Sequence, residues 1–154
     1  MADAKLAPNL PDWMVEHTNR YLLSGGTEGH LYTMTQPGRP QITVPSLLLT
    51  TTGRKSGEKF IFPLFYGETG SGGYIVVASK GGAPKHPVWY LNLVANPEVE
   101  VQVGTKKLKA RARTVSGAER ARLWEKALQF WPPYADYQKK TEREIPVVVL
   151  EPVG

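Results

Sequence analysis

Apolar residues near the start of the chain recur at helical spacing. Between residues 10 and 23 they fall near a period of 3.6, at Trp13, Met14, His17 and Tyr21. The run predicts an amphipathic helix, which Ser24-Gly25-Gly26 would end. Residues 25–45 are predicted to be a loop because they contain three breakers, Pro37, Gly38 and Pro40. Residues 1–45 are therefore expected to form an arm that packs on the rest of the chain, covers a site or touches a membrane surface.

From residue 46 onward the pattern is that of short strands separated by turns. Six runs rich in β-branched and aromatic residues predict strands, at residues 46–52, 60–66, 74–79, 98–103, 106–115 and 145–150. Pro63 in the second run indicates a bulge or an edge position. The expected fold is mainly β with flanking helices. It would be a closed or split antiparallel barrel over residues 46–154, within one structural domain overall.

Two helices are predicted between these strands. One covers residues 87–95, where Pro87 suits the first turn. The other follows Ser116 and Glu119, whose three-residue spacing matches a capping box. Its apolar stripe is predicted to contain Ala121, Trp124, Leu128 and Trp131.

Composition narrows the choice of partner more than the choice of fold. Lys plus Arg exceed Asp plus Glu by 19 − 14 = 5 in a chain of 154 residues, which favours an anionic partner. The absence of Cys excludes disulfides and thiolate chemistry, and the three His residues lack metal-ligand spacing, so no metal site is expected. We expect a cytoplasmic protein. Peripheral membrane contact through Trp13, Met14 and Tyr21 stays open.

Three basic clusters could meet an anionic partner. Residues 53–59 (GRKSGEK) combine cations with a tight turn, which suits a phosphate as well as an ordinary solvated hairpin. Residues 79–86 (SKGGAPKH) place two lysines around a glycine pair before a helix, which favours an anion. Residues 106–113 are the most cationic. Their alternation of charged and apolar residues is typical of a half-solvated sheet face, and without aromatic residues no nucleic-acid binding is expected.

Two tyrosines could serve the chemistry. Tyr134 and Tyr137 follow Trp131-Pro132-Pro133 and would lie side by side on one helical turn. They could line an aromatic substrate pocket, with one hydroxyl donating to a substrate oxygen, or they could be packed surface residues. The residues themselves leave both alternatives open.

A family resemblance is carried by three segments: LLLTTTGRKSGEKFIFPLFY, VVASKGGAPKHPVWYLNLVANPEVEVQVG and WPPYADYQKKTEREIPVVVLEP. They resemble the deazaflavin-dependent nitroreductase family of actinobacteria. The resemblance implies a split β-barrel of the flavin-reductase and pyridoxamine-phosphate-oxidase type, here with an N-terminal helix. It also implies an oxidoreductase with reduced 8-hydroxy-5-deazaflavin (coenzyme F-420) as hydride donor, acting on quinones, nitroaromatics or activated enones.

The resemblance also assigns roles to matching positions. The cofactor tail, which carries a phosphate and oligoglutamate, would be neutralised by Arg54, Lys55 and Lys59, with Ser56 and Gly57 supporting the turn. Its phosphate or ring edge would be approached by Ser79, Lys80 and Gly81, and its ring pocket shaped by Pro87 and Trp89. The acceptor would face Trp13, Tyr134 and Tyr137, with Tyr134 and Ser79 as the candidate catalytic residues.

Two alternatives to this function remain at this level. One is a reductase or oxidase that uses flavin mononucleotide on the same fold, and the other is a non-catalytic deazaflavin carrier. The oligomeric state is not indicated by any pattern in the chain.

Overall fold

The computed structural model describes residues 4–34, 38 and 41–153. Four α-helices lie in this part of the chain: α1 (Asp12–Leu23), α2 (Val88–Ala95), α3 (Gly117–Phe130) and α4 (Tyr134–Lys139). The strands are β1 (Lys5–Leu6), β2 (Leu31–Met34), β3 (Ile42–Thr52), β4 (Lys59–Phe65), β5 (Gly67–Glu68), β6 (Tyr74–Val77), β7 (Glu98–Val103), β8 (Lys106–Thr114) and β9 (Val147–Pro152). A short 3-10 turn, Lys80–Gly82, follows β6.

The strands form one curled sheet. Their order is β1-β4-β3-β7-β8-β9-β6-β5, with β2 on β3. β1 is parallel to β4, and the other pairings of the described strands are antiparallel. Strands far apart in this order share one buried cluster, which contains Leu47, Phe62, Val76, Val101, Ala112 and Leu150. Because one face of every strand must reach that interior, the sheet curls into a barrel. The prediction of a mainly β barrel with an N-terminal helix is confirmed.

The arm contains more β-structure than predicted. The prediction of a loop over residues 25–45 is wrong, because β2 pairs with the first residues of β3, from Leu31 opposite Pro45 to Met34 opposite Ile42. The alternating strand pattern around Tyr32 and Val44 was not recognised in the sequence, because Pro37, Gly38 and Pro40 lie between the two residues. Of these breakers, Pro37 and Pro40 lie outside the described residues. Strand β3 therefore begins at residue 42 and not at residue 46.

Pro63 lies at an open edge of β4, as predicted. It faces Leu48 of β3, whereas the pairing of β4 with β1 ends at Ile61. Proline has no N–H to donate, so this part of β4 can end its pairing with β1 without leaving a donor unsatisfied.

Tyr21 fastens helix α1 to the barrel. Its side chain is completely buried. Its hydroxyl accepts a hydrogen bond of 2.6 Å from the Gly104 N–H and lies 3.1 and 3.2 Å from the carbonyl oxygens of Ser46 and Gln102. Burial raises the pKa of this hydroxyl, so it remains protonated and can donate to a carbonyl. Tyr21 is therefore withdrawn from any membrane surface, which corrects its assignment as a possible membrane contact.

None of the described helices combines the length and the hydropathy needed to cross a bilayer.

Helix α3 begins where predicted, but the predicted capping box does not hold its first turn. Ser116 precedes the helix without a side-chain cap hydrogen bond. The Glu119 carboxylate instead accepts two hydrogen bonds of 2.8 Å from Arg113 on β8. The buried positions are Leu123 and Ala127, whereas Ala121 is exposed. Of the predicted apolar stripe, Trp131 is buried and Trp124 and Leu128 are partly buried. The prediction is therefore right only in part.

The cationic strand β8 is a solvated face, as expected. Lys107, Lys109 and Arg111 are exposed and alternate with the inward Ala110 and Ala112. Opposite them on β7 stand Glu100 beside Lys109 and Glu98 beside Arg111. Acidic neighbours on the next strand therefore compensate part of the charge.

The contact of Tyr21 predicts a stability effect. In Tyr21→Phe the half-buried Gly104 N–H loses its acceptor, and we expect the free energy of unfolding to fall by about 1–3 kcal/mol. Urea denaturation followed by circular dichroism measures this change. Tyr90→Phe is the matched control, because its hydroxyl contacts Thr114 at 2.9 Å in an exposed setting. Equal losses in the two variants would contradict the anchoring role.

Candidate active site

A cleft of about 1470 Å³ opens between the arm, strand β4 and helix α4. The N-terminal side contributes residues 8–11 and the α1 side chains Trp13, Met14 and His17. The opposite side contributes Ser79, Lys80, Gly81, Pro87, Trp89, Tyr134 and Tyr137. The structure thus brings together eight of the predicted site residues, from four separate parts of the chain, around one space.

Aromatic rings form the walls of the cleft. Phe65 of β4 lies 4.8 Å from Trp131, measured between ring centroids. Tyr32 packs behind them, at 6.1 Å from Phe65 and 5.1 Å from Trp13. Trp89 is buried at the start of α2. Flat apolar walls of this kind suit planar ligands.

The loop after β6 adopts an uncommon backbone conformation. Lys80, Gly81 and Gly82 follow one another with φ values of 46°, 64° and 85°. The left-handed region is costly for a residue with a Cβ, so Lys80 is held there by its surroundings. One reason is the close packing of α4: a Cβ on Gly82 would lie 2.6 Å from the Tyr137 carbonyl oxygen. Gly82 therefore permits close approach to α4, and Lys80 lines the cleft.

Arg143 holds this loop in place. Its guanidinium donates to the carbonyl oxygens of Ser79 at 2.7 Å, Ala83 at 2.8 Å and Ala78 at 3.2 Å. It also lies 3.0 Å from Nδ1 of His86. Burial lowers the pKa of Arg143, although a guanidinium remains charged. Arg143 could not be singled out from the sequence, because a single arginine in a charged segment carries no pattern.

Two hydroxyl groups of the cleft are without protein partners. Neither the Ser79 side chain nor the Tyr134 side chain makes a hydrogen bond to the described residues, although both residues are buried. Tyr134 lies among the rings of Trp124, Phe130 and Tyr137. Burial, and secondarily Tyr137, raise its pKa well above that of an ordinary phenol. Tyr134 is therefore a neutral hydrogen-bond donor that can serve a bound molecule.

Tyr137 differs from Tyr134 in its surroundings. The two rings lie 6.1 Å apart, which confirms that they share one turn of α4. The Tyr137 hydroxyl accepts a hydrogen bond of 3.4 Å from the Trp131 indole. Lys140 lies over the Tyr137 ring at 5.7 Å from its centroid.

Three lysines give the cleft a positive end. Lys80, Lys139 and Lys140 line it and make no ion pair with the described residues, and Asp136 is the acidic group beside them. Lys139 and Lys140 were not predicted from the sequence. This charge would attract an anionic group of a ligand.

The turn at residues 53–59 lies beside the cleft and does not line it. Arg54 reaches the Asn92 side-chain oxygen through its backbone N–H at 3.3 Å and its guanidinium at 3.4 Å. Asn92 belongs to α2, the helix that also supplies Trp89. Lys55 is exposed, whereas Lys59 is the first residue of β4 and pairs with Glu100 at 3.1 Å. The turn is thus coupled to the cleft through α2.

The supporting residues of this turn are also exposed. The Ser56 hydroxyl accepts a hydrogen bond of 3.1 Å from the Glu58 N–H. Gly57 has a φ of 74°, the left-handed conformation that favours glycine.

The described side chains fit a planar ligand that carries negative charge. The walls are aromatic, the free hydroxyls can contact ring substituents, and the lysines lie at one end. A deazaflavin with an anionic tail has this combination of properties, so the donor set fits the cofactor implied by the resemblance.

Known proteins that resemble this chain define its class. Three solved structures share the fold alone: an Agrobacterium tumefaciens protein of unknown function (15% identity, TM-score 0.59), the Vibrio cholerae heme storage protein HutZ (16%, 0.52) and a Listeria innocua protein described as a candidate pyridoxamine 5′-phosphate oxidase (14%, 0.51). Together with the strand order described above, these likenesses define the fold as a split β-barrel.

Closer relatives identify the family. The family described as F420H(2)-dependent quinone reductase matches residues 13–152, and the chain belongs to it. An F420H(2)-dependent quinone reductase of Mycobacterium tuberculosis is 41% identical over 150 residues, which cover 90% of this chain and 95% of the relative. A solved structure described as an F420-H2 dependent reductase is 53% identical, with a TM-score of 0.65, over 70% of this chain and 94% of its own. Another, described as a domain-swapped dimer, is 47% identical, with a TM-score of 0.67, over 91% and 98%.

Family membership decides between the alternatives left open by the sequence. The chain is an oxidoreductase, and its cofactor is the reduced deazaflavin coenzyme F-420. The flavin mononucleotide enzyme and the non-catalytic carrier are therefore set aside.

His86 predicts a pH-dependent stability. Burial, and secondarily the charge of Arg143, lower the pKa of His86 below its ordinary value of 6.5. The unfolded chain therefore binds this proton at a higher pH than the folded chain does. The contribution of His86 to stability is complete above about pH 6.5 and is lost as the pH falls through the folded-state pKa.

His86→Asn tests this prediction, because the Asn side-chain oxygen can take the place of Nδ1 and does not titrate. We expect the variant to lose less unfolding free energy than the wild type between pH 7.5 and pH 5, in thermal or urea denaturation. Parallel stability curves for the two proteins would contradict the assignment.

Proposed function

We propose that this chain reduces quinones with the reduced deazaflavin, and that other flat acceptors such as nitroaromatics and activated enones enter the same cleft. The observation that carries the proposal is the pair of free hydroxyls, Ser79 and Tyr134, within aromatic walls next to unpaired lysines. A planar cofactor and a planar acceptor both need stacking surfaces. Their charged and polar substituents need hydrogen-bond donors and positive charges, which these hydroxyls and lysines can supply.

The cofactor would be held from three directions. Lys80 and Gly81 would contact its phosphate or the edge of its ring, and Pro87 and Trp89 would bound the ring pocket. Arg54 and Lys55 would attract the acidic tail from the neighbouring turn, with Ser56 and Gly57 shaping that turn. Lys59 would also attract the acidic tail, although Glu100, with which it forms an ion pair, offsets part of its charge. The bound cofactor supplies a hydride, which is chemistry that no side chain of the protein can provide.

The protein would position the acceptor and hold a proton near it. Trp13 and Tyr137 would stack against a flat ring, and Tyr134 would donate a hydrogen bond to the oxygen on which negative charge develops. Its raised pKa makes Tyr134 a weak acid, so it would stabilise that charge as a neutral donor. The Ser79 hydroxyl, buried in the same cleft, would support this role. The arm would exclude water from the ring pocket.

The Tyr134 role gives the first functional prediction. The purified chain should reoxidise reduced deazaflavin in the presence of 1,4-naphthoquinone, and Tyr134→Phe should lower the rate about tenfold while cofactor binding is unchanged. Absorbance of the cofactor measures the rate, and fluorescence titration measures binding. Tyr90→Phe is the control, because Tyr90 does not line the cleft.

The outcomes separate the possible roles. A loss of about 10²–10⁴-fold in Tyr134→Phe would indicate full proton transfer by Tyr134. An unchanged rate would remove Tyr134 from the mechanism. Failure of the wild type to reoxidise the cofactor with a naphthoquinone, a nitroimidazole or an enone would overturn the proposed function itself.

The tail site gives the second functional prediction. Lys55→Ala should weaken cofactor binding about 2–5-fold at low salt, because an exposed ion pair contributes about 0.2–1 kcal/mol. The difference should vanish near 1 M salt, where charges are screened within about 3 Å. Arg54→Ala should show a similar salt dependence with an added structural loss, since Arg54 also contacts Asn92.

Lys107→Ala is the matched control for the tail site. It removes the same charge from the exposed face of β8. Equal effects of Lys55→Ala and Lys107→Ala would show that net charge alone attracts the cofactor and would exclude a defined tail site at residues 53–59.

A further inference from the structure

His17 brings an imidazole to the cleft. His17 has a relative exposure of 8% and is the only histidine among the described residues that line the cleft. It lies one helical turn after Trp13 on α1, and its ring centroid is 4.9 Å from that of Tyr32. The proposed mechanism does not use this residue.

The hydrogen bonds of His17 define which nitrogen carries the proton. Nε2 lies 2.6 Å from the carbonyl oxygen of Gly29, an atom that can only accept. Nε2 must therefore be the donor. The Ser46 hydroxyl donates to the same carbonyl at 2.9 Å and lies 3.2 Å from Nε2, so it does not compete for that role.

The other nitrogen is left as an acceptor. In a neutral imidazole with the proton on Nε2, Nδ1 presents a lone pair. No hydrogen-bond partner for Nδ1 exists among the described residues, and Nδ1 is not among their fully buried unpaired atoms, so a molecule in the cleft can reach it. A ligand in the cleft that has an O–H or N–H group would supply the missing donor.

The surroundings narrow the chemistry of that ligand. Trp13 and the wall around Phe65 favour a flat ring. A quinone oxygen is itself an acceptor, so it would face the Nδ1 lone pair with repulsion. The phenolic hydroxyl that replaces it after reduction is a donor and would form a hydrogen bond.

We propose that Nδ1 of His17 accepts a hydrogen bond from a phenolic hydroxyl, so that the cleft binds the reduced form of its acceptor more tightly than the quinone. The inference rests on the proposed function for the identity of the ligand. Its consequence is thermodynamic: a contact made by the product and not by the substrate shifts the equilibrium on the protein towards the hydroquinone.

His17→Gln is the discriminating variant. The Gln amide nitrogen can take the place of Nε2 and keep the bond to Gly29, but Gln places no acceptor where Nδ1 stood. The probes are 1-naphthol, which has a hydroxyl donor, and 1-methoxynaphthalene, which does not. Calorimetric titration at pH 7.5 without cofactor should show about 3–10-fold weaker binding of 1-naphthol to the variant and an unchanged affinity for 1-methoxynaphthalene.

His30→Gln is the matched control. His30 is half-buried, its Nε2 contacts the Tyr66 hydroxyl at 2.7 Å, and it does not line the cleft. We expect no change in the affinity for either probe. A second measurement needs no variant: ¹⁵N NMR of histidine-labelled wild-type protein should show Nδ1 of His17 shifting when 1-naphthol is added and not when 1-methoxynaphthalene is added.

The proposal is overturned by equal loss of affinity for the two probes in His17→Gln, by no loss for 1-naphthol, or by an unshifted Nδ1 signal at saturating 1-naphthol. A selective loss of 1,4-naphthoquinone binding would also overturn it, because it would indicate a charged ring that donates. These binding measurements do not depend on turnover. If the protein binds 1-naphthol selectively but does not reduce quinones, the proposed function is rejected and the hydrogen bond to Nδ1 of His17 is retained.

Discussion

The cleft depends on the hydrogen bonds that Arg143 donates to the loop after β6. Three carbonyl oxygens in that loop converge on one guanidinium, and only that of Ser79 is also known to accept a bond from within the loop, from the Gly82 N–H. The same loop contains the left-handed turn that directs Lys80 towards the cleft. Helix α4, with both tyrosines, packs on that turn through Gly82. One half-buried cation thus sets the position of the groups on one whole side of the site.

Local patterns predicted much of the barrel and part of the site. Alternation along β7 and β8, and the proline before α2, are determined by nearest neighbours, so they could be read from the chain. Tyr134 and Tyr137 could be paired because three residues make nearly one helical turn. The residues around Lys80 could be singled out because glycine next to lysine before a helix has a chemical meaning of its own.

The rest depended on partners that are distant in sequence. β2 forms only because β3 lies beside it, and its short alternation is interrupted by proline and glycine. Arg143 and His17 have their roles through carbonyl oxygens 64 and 12 residues away, respectively. Nor could the sequence show that residues 53–59 lie beside the cleft and do not line it. Arg54 contacts α2 through Asn92, and nothing in the sequence marks that asparagine. Tertiary contacts decided these features, and no local preference could have indicated them.

The bond between Tyr21 and Gly104 also orders events during synthesis. The two residues are 83 positions apart, and the contact cannot form until the β7–β8 turn has left the ribosome. At about 5–20 residues per second that delay is roughly 4–17 s. Helix α1 is therefore made early but cannot complete its attachment to the barrel until β7 and β8 have been made.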